Sequence, residues 1–359
     1  MTGREGLGIL SAMQSPTERR LPVALYGATG VVGQRFLALL ADHPWFELVE
    51  IRASSGSVGR SLDERLGEGV PAALQDLVLG DVEGDPGCRL VFSALSSEIA
   101  GEREAQLCAA GHLVVTTASA HRMDAGVPLV VPEVNPDHLG LVGDARRGAI
   151  LANPNCSTIG LVLPLAPLER AFGLRAVHVV TLQALSGMGA AAPALAEFAG
   201  TIAPSIPGEE EKIEAETCRI FGVLEGKSIR PAELKVAATT NRVAVVDGHT
   251  ACVSFTTAES ASREEILRAW AGFRAAPQEL GLPSAPERPI VWLDGEDVPR
   301  PDQHVDEQRG MAVSVGRLRK CPVLGWRFTT LSHNAIRGAA GGAVLLAELA
   351  VSQGLLDGS

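Results

Sequence analysis

Apolar positions change their period several times along the chain, and each change marks an element. Leu21-Pro22-Val23-Ala24-Leu25-Tyr26 is a short apolar run of strand character that ends in Gly27-Ala28-Thr29-Gly30-Val31-Val32-Gly33. Over residues 34–41 the apolar residues Phe36, Leu37, Leu39 and Leu40 take helical spacing, and 46–51 returns to strand character. Residues 89–95, 112–116 and 127–131 predict further strands, and the apolar run 148–152 ends at a junction, Asn153-Pro154-Asn155-Cys156-Ser157-Thr158. A second run, 159–165, predicts a helix opening at that junction, which Pro164 and Pro167 should kink. Residues 241–246 alternate in the manner of a strand and end in an Asp247-Gly248 turn, which should present His249 at a strand edge and not in the core. The run 343–350, AVLLAELA, predicts an apolar C-terminal helix that returns to pack on the first domain.

Strand, glycine-rich turn, helix, strand is the context of a dinucleotide fingerprint. Gly27, Gly30 and Gly33 allow a tight turn, close approach of backbone to a pyrophosphate, and close packing of helix on strand. The N–H groups of Thr29, Val31 and Val32 lie where a helix N-terminus meets phosphate. After Ile51 no acidic residue stands ready for a ribose 2′-hydroxyl. The segment carries Ser54, Ser57, Arg52 and Arg60, a composition that suits the 2′-phosphate of NADP. Ser96, with Ser97, follows a strand and either lines the crevice at the strand ends or caps a helix.

Composition narrows the partners. A chain of 359 residues is long enough for two domains, and 46% hydrophobic residues with a mean hydropathy of +0.17 can bury a sizeable core. Aromatics make up only 4%, so that core is mostly Ala, Val and Leu. A formal charge of −11 argues against nucleic acid or an anionic membrane as partner. Residues 1–20 lack the apolar stretch of a signal peptide and read as a disordered leader, and no apolar run is long enough to span a bilayer. The six cysteines show neither CxxC metal-ligand spacing nor visible pairing, which predicts a reducing cytoplasm and no metal.

The chemistry concentrates in the second half. A helix starting beside Cys156 places its thiol over the positive end of the helix dipole, which favours a thiolate. Asn155, Ser157 and Thr158 suit a cap, and the free N–H groups suit an oxyanion. A cysteine nucleophile needs a proton-transfer partner, and His249 has the most telling setting of the eight histidines; Arg242 lies seven positions earlier and could share its pocket. Read alone, GEEEKIEAET (208–217) is a solvated acidic helix start, and SHNAIRGAAGG (332–342) is a loop leading into a helix.

GATGVVGQRF (27–36), NPNCSTIG (153–160), GEEEKIEAET, NRVAVVDGHT (241–250) and SHNAIRGAAGG, in this order and spacing, resemble aspartate-β-semialdehyde dehydrogenases, most nearly the archaeal and fungal branch. The likeness runs from Leu21 to about Leu356. It implies an α/β fold with a Rossmann-type doubly wound NADP-binding domain (21–155, completed by a C-terminal helix, 334–357) and an α+β catalytic and dimerisation domain (156–333), assembled as a homodimer or homotetramer. It implies Cys156 as nucleophile, His249 as acid/base and Gln183 as the group orienting substrate near the thiol. Arg242 would grip the substrate carboxylate, Glu209 the amine and Lys212 the phosphate, with Asn155 beside them; Ser186, Gly187 and Asn334 would meet the nicotinamide side of the cofactor. The sequence departs from the pattern at Met188–Pro193, where relatives carry Tyr-Pro-Gly, at Ala244, at Gly56, where a 2′-phosphate-binding arginine often stands, and at Pro164. Acyl-CoA reductases, which share the motifs, and a paralogue with an altered semialdehyde substrate are the nearest alternatives; a catalytically silent nucleotide-binding protein is a more distant one.

Overall fold

The computed structural model describes residues 20–356. The expected leader lies outside the described residues but for Arg20. The first apolar run is β1 (Leu21–Tyr26), and the glycine turn leads directly into α1 (Val31–Leu40), three residues earlier than the periodicity placed its start. β2 (Phe46–Ala53), a short α2 (Leu62–Leu66), β3 (Leu79–Asp81), β4 (Leu90–Ser93), α3 (Ser97–Ala109), β5 (Leu113–Thr116) and β6 (Ala149–Ala152) follow. The six strands form one sheet in the order β3-β2-β1-β4-β5-β6, every pair parallel. This is the doubly wound order, with its reversal between β1 and β4, where ligands bind at the strand ends. The strand expected at 127–131 is not formed. Leu129 makes a single bridge to Ala152, and the neighbouring prolines, Pro128 and Pro132, cannot donate to a longer ladder.

The second half opens with α4 (Cys156–Phe172), β7 (Leu174–Gln183), a single turn α5 (Leu195–Phe198), α6 (Glu209–Ile220), the hairpin β8 (Val223–Glu225) and β9 (Ser228–Arg230), β10 (Lys235–Arg242) and β11 (His249–Thr257). It continues through α7 (Arg263–Ala271), α8 (Ala276–Glu279), β12 (Ile290–Leu293), α9 (Pro301–His304), β13 (Val313–Cys321) and β14 (Gly325–Ser332). A mixed sheet in the order β10-β7-β11-β14-β13-β12 packs one face on α4. Its other face, with Ala237, Thr239, His178 and Cys252 exposed, is left open.

α4 is buried along most of its length and runs unbroken through Pro164 and Pro167, against the kink expected. Pro164 has no N–H for the Gly160 carbonyl four residues earlier, and the Thr330 hydroxyl donates to that carbonyl instead, at 3.3 Å. The Pro164 carbonyl in turn accepts from the Trp270 indole at 2.8 Å. After β14 a π-helical turn, Ile336–Ala340, feeds α10 (Gly341–Ser352), which returns to the first sheet as expected. Val344, Leu345, Leu346 and Leu349 enter the same core as Phe36, Phe46 and Phe92. A buried carboxylate, Glu348, anchors the return by accepting from His43 at 2.8 Å and from the Ser284 amide. No helix among the described residues is long and apolar enough to cross a membrane.

Candidate active site

The glycine turn is built for a dinucleotide. A Cβ on Gly27 would lie 2.5 Å from the Ala94 carbonyl oxygen, and one on Gly33 would lie 2.1 Å from the Gly27 carbonyl oxygen, so backbone occupies the space of side chains. No side chain caps α1 at Gly30, which leaves the N–H groups of Val31 and Val32 unclaimed at the helix N-terminus, beside Thr29. Ser96 is exposed at the N-terminus of α3 and makes no side-chain cap. These features fit a pyrophosphate. At the ribose end the structure corrects one expectation. Arg52 turns away from the loop and bonds Glu50 at 2.7 Å and the Asp85 carbonyl at 3.1 Å. Ser54 is exposed and Ser57 buried in the same loop.

Cys156 is the first residue of α4, and Asn155 is its cap: the Asn155 Oδ1 accepts from the Ser157 and Thr158 amides at 2.9 and 3.3 Å. Asn155 also donates from Nδ2 to Glu209 at 2.8 Å, and its backbone N–H bonds Glu216 at 2.6 Å. Glu209 accepts from Lys212 at 3.3 Å. Glu209, Lys212 and Glu216 follow i, i+3, i+7 spacing on α6, so one face of the expected solvated helix points at the thiol. Glu216 is buried, and Arg122 pairs with it at 3.0 Å. Burial pulls the Glu216 carboxyl upward, while Arg122 and the Asn155 amide pull it back. The thiolate favoured by the helix dipole is opposed by its surroundings. Burial, then the charge of Glu209, pushes the Cys156 thiol up to about 11, and the opposing influence of Arg122 and Arg242 is smaller.

His249 lies on the opposite wall. It is only 4% exposed and starts β11, so it is a core residue and not one presented at a strand edge. The alternating strand ends at Arg242, and the residues up to Gly248 form a connection. Arg242 and His249 thus stand on different strands, β10 and β11, that flank β7. Ala184, just past the end of β7, joins them: its amide donates to His249 Nδ1 at 3.1 Å and its carbonyl accepts from Arg242 Nη1 at 2.8 Å. With Nδ1 accepting, the neutral ring carries its proton on Nε2, which is buried without a partner. Burial, with the charges of Arg242 and His333, lowers the His249 pKa to about 3. Gly187 lies over both tips; a Cβ there would be 2.7 Å from Arg242 Nη1 and 3.3 Å from His249 Nε2. Gln183 is buried at the end of β7, opposite Arg242 in the register.

Two braces tie this wall to the first domain. Asn334 accepts from the Gly248 amide at 2.9 Å and donates to Ser186 Oγ at 2.8 Å, and Asp247 pairs with Arg35 of α1 at 3.2 Å. On the other side Gly338 packs against Cys156, and the adjacent Arg337 forms a buried two-point pair with Glu133. Sequence reading missed Arg122, Glu216, Glu133 and Arg337. The helical spacing of Glu216 with Glu209 and Lys212 was an available signal; the others carry none, being separated by 94 and 204 positions from the partners they meet.

A doubly wound dinucleotide sheet set against a cysteine at a helix N-terminus, with a buried histidine across the cleft, defines a cysteine-dependent dehydrogenase. Two family models match accordingly: semialdehyde dehydrogenase, NAD binding domain, over residues 22–142, and semialdehyde dehydrogenase, dimerisation domain, over residues 165–337. An aspartate-semialdehyde dehydrogenase of Archaeoglobus fulgidus is 41% identical, over 94% of this chain and 100% of its own length. One of Cryptococcus neoformans is 41% identical, over 94% of this chain and 99% of its own. The crystal structure of the Candida albicans aspartate semialdehyde dehydrogenase with NADP superposes with a TM-score of 0.87 at 37% identity, over 94% of this chain and 100% of that one. The chain belongs to the aspartate-semialdehyde dehydrogenase family.

Proposed function

We propose that the protein interconverts L-aspartate 4-semialdehyde plus phosphate with L-4-aspartyl phosphate, with NADP as hydride carrier and Cys156 as covalent nucleophile. One observation supports this above the rest: a cysteine at a helix N-terminus, a histidine locked as an Nε2–H donor, and two opposed charged groups, Arg242 and Glu209, meet in one cleft. Those charges complement a substrate that bears both a carboxylate and an ammonium.

In the oxidative direction the Cys156 thiol gives up its proton to solvent, its Sγ bonds to the aldehyde carbon as the carbonyl π bond breaks, and the new oxyanion lies against His249 Nε2–H. Gln183 orients that carbon, and the guanidinium of Arg242 suits the carboxylate as a two-point donor. NADP, when bound, would supply the hydride acceptor, and loss of hydride from the same carbon would leave a thioester on Cys156. A phosphate oxygen then bonds to the thioester carbon, the C–S bond breaks, and the sulfur leaves as thiolate. Lys212 is only part-buried, as befits a mobile cation for phosphate. The open face of the mixed sheet, within the segment matched by the dimerisation model, suits a homodimer; a tetramer would need a further surface. Six unpaired cysteines accord with a reducing cytoplasm.

The relatives named above are aspartate-semialdehyde dehydrogenases, which favours this reading over the acyl-CoA reductase alternative. The test is NADP reduction with a panel of semialdehydes, each supplied with phosphate, arsenate or CoA. Turnover with aspartate semialdehyde and phosphate or arsenate is expected; turnover with CoA in place of phosphate would overturn the proposal.

A further inference from the structure

The loop that follows β2 is where a doubly wound domain meets the adenosine ribose, and an arginine near it accommodates a 2′-phosphate. In this chain the obvious candidates are spent or missing. Arg52 is held by Glu50 and the Asp85 carbonyl, away from the loop. Gly56, at the loop's centre, offers no side chain, and a Cβ built there meets nothing within 4 Å. The cation at the loop comes from outside it. Arg65, in the last turn of α2, donates from Nε to Ser57 Oγ at 2.9 Å. Ser57 is itself buried, at 3% exposure, so the arginine rests on a fixed point. Among the described residues Arg65 has no carboxylate within ion-pair distance. The hydrogen bond uses Nε alone and leaves both Nη groups for another acceptor.

A local device keeps Arg65 in place. Ser61 and Glu64 form a reciprocal capping box at the start of α2, with bonds of 3.1 and 3.2 Å. The capping box occupies Glu64, the carboxylate next to Arg65 in sequence. The backbone of Gly59 and Arg60 then pairs with Leu79 and fastens the same loop to β3.

We infer that Arg65 is the residue that recognises the adenosine 2′-phosphate and sets the preference for NADP over NAD, in place of a cation within the loop. The inference rests on the reading of the first domain as an NADP site, and its test separates the two. NADPH and NADH are titrated calorimetrically into the wild-type protein and into Arg65→Gln, Arg65→Lys and Arg60→Gln, with thermal melts to confirm folding. Arg65→Gln should weaken NADPH by roughly 10- to 100-fold, the loss of a charge-assisted contact, and leave NADH unchanged. Arg65→Lys should fall between Arg65→Gln and wild type. Unchanged NADPH binding in Arg65→Gln, equal weakening of both dinucleotides, or a selective loss in Arg60→Gln would each overturn the inference while leaving the NADP site standing. A wild-type protein that binds neither dinucleotide would remove the site and the inference together.

Discussion

With Nδ1 engaged by the Ala184 amide, His249 enters the reaction as a hydrogen-bond donor, and Cys156 enters it as a thiol. Both resting states have pH signatures. A thiol pKa pushed up to about 11 means the reactive thiolate is the minor form at every pH below that value. Alkylation of Cys156 by iodoacetamide in the free protein should therefore rise about tenfold per pH unit from 7 to 10. A plateau near pH 8 would show that the helix dipole prevails over burial. The histidine works in the opposite sense. Its folded pKa lies below the unfolded value of 6.5, so the unfolded chain binds the proton first. Its contribution to stability is complete above pH 6.5 and is lost as pH falls from there towards about 3. His249→Asn should flatten that part of the stability profile and cost roughly 10²–10³-fold in kcat, the usual worth of one oxyanion donor. A loss below tenfold would move the role elsewhere.

At the scale of elements, the cofactor domain was the most legible part of the sequence, because β1, the glycine turn and α1 are contiguous and each residue's part is local. The cap at Cys156 was legible for the same reason. Where the reading failed, the cause lay at a distance. Nothing near Pro164 announces that Thr330 will satisfy the carbonyl the proline leaves free, so a kink was the natural expectation. Nothing near Arg242 says that its strand stops there and that His249 begins the next. Arg337 and Glu133, 1% and 0% exposed, pin the π-helical turn beside the thiol through a pairing no local pattern reveals. Glu133→Gln would leave a buried guanidinium without its counter-charge and should destabilise by about 3–5 kcal/mol in denaturant titrations. A cost below about 1 kcal/mol would mean that the turn is held by packing alone.

For the whole molecule, the mixed sheet offers one covered face and one bare face. The bare one is small-featured around Ala237, Thr239, Val180 and Cys252, with His178, Lys235 and Arg327 exposed on the same side, a surface that a second sheet could cover. Val180→Asp should convert the oligomer to single chains, read as a fall in sedimentation coefficient at micromolar concentration. An unchanged coefficient would place the contact on another face. That the second half carries such a face was implied by likeness alone, since strand spacing does not say which side of a sheet will be left unpaired.

The return of α10 to the first sheet has a consequence for how the protein is made. The core around Phe36, Phe46 and Phe92 includes Val344, Leu345, Leu346 and Leu349, which leave the ribosome long after the strands they cover. The usual order, in which the N-terminal unit finishes folding while the rest is still being translated, cannot be completed here. Until α10 arrives, a nascent chain holds an unfinished dinucleotide fold with an apolar flank exposed, and Gly338 has not yet closed against Cys156. The first domain therefore completes its core only once the second half has been made.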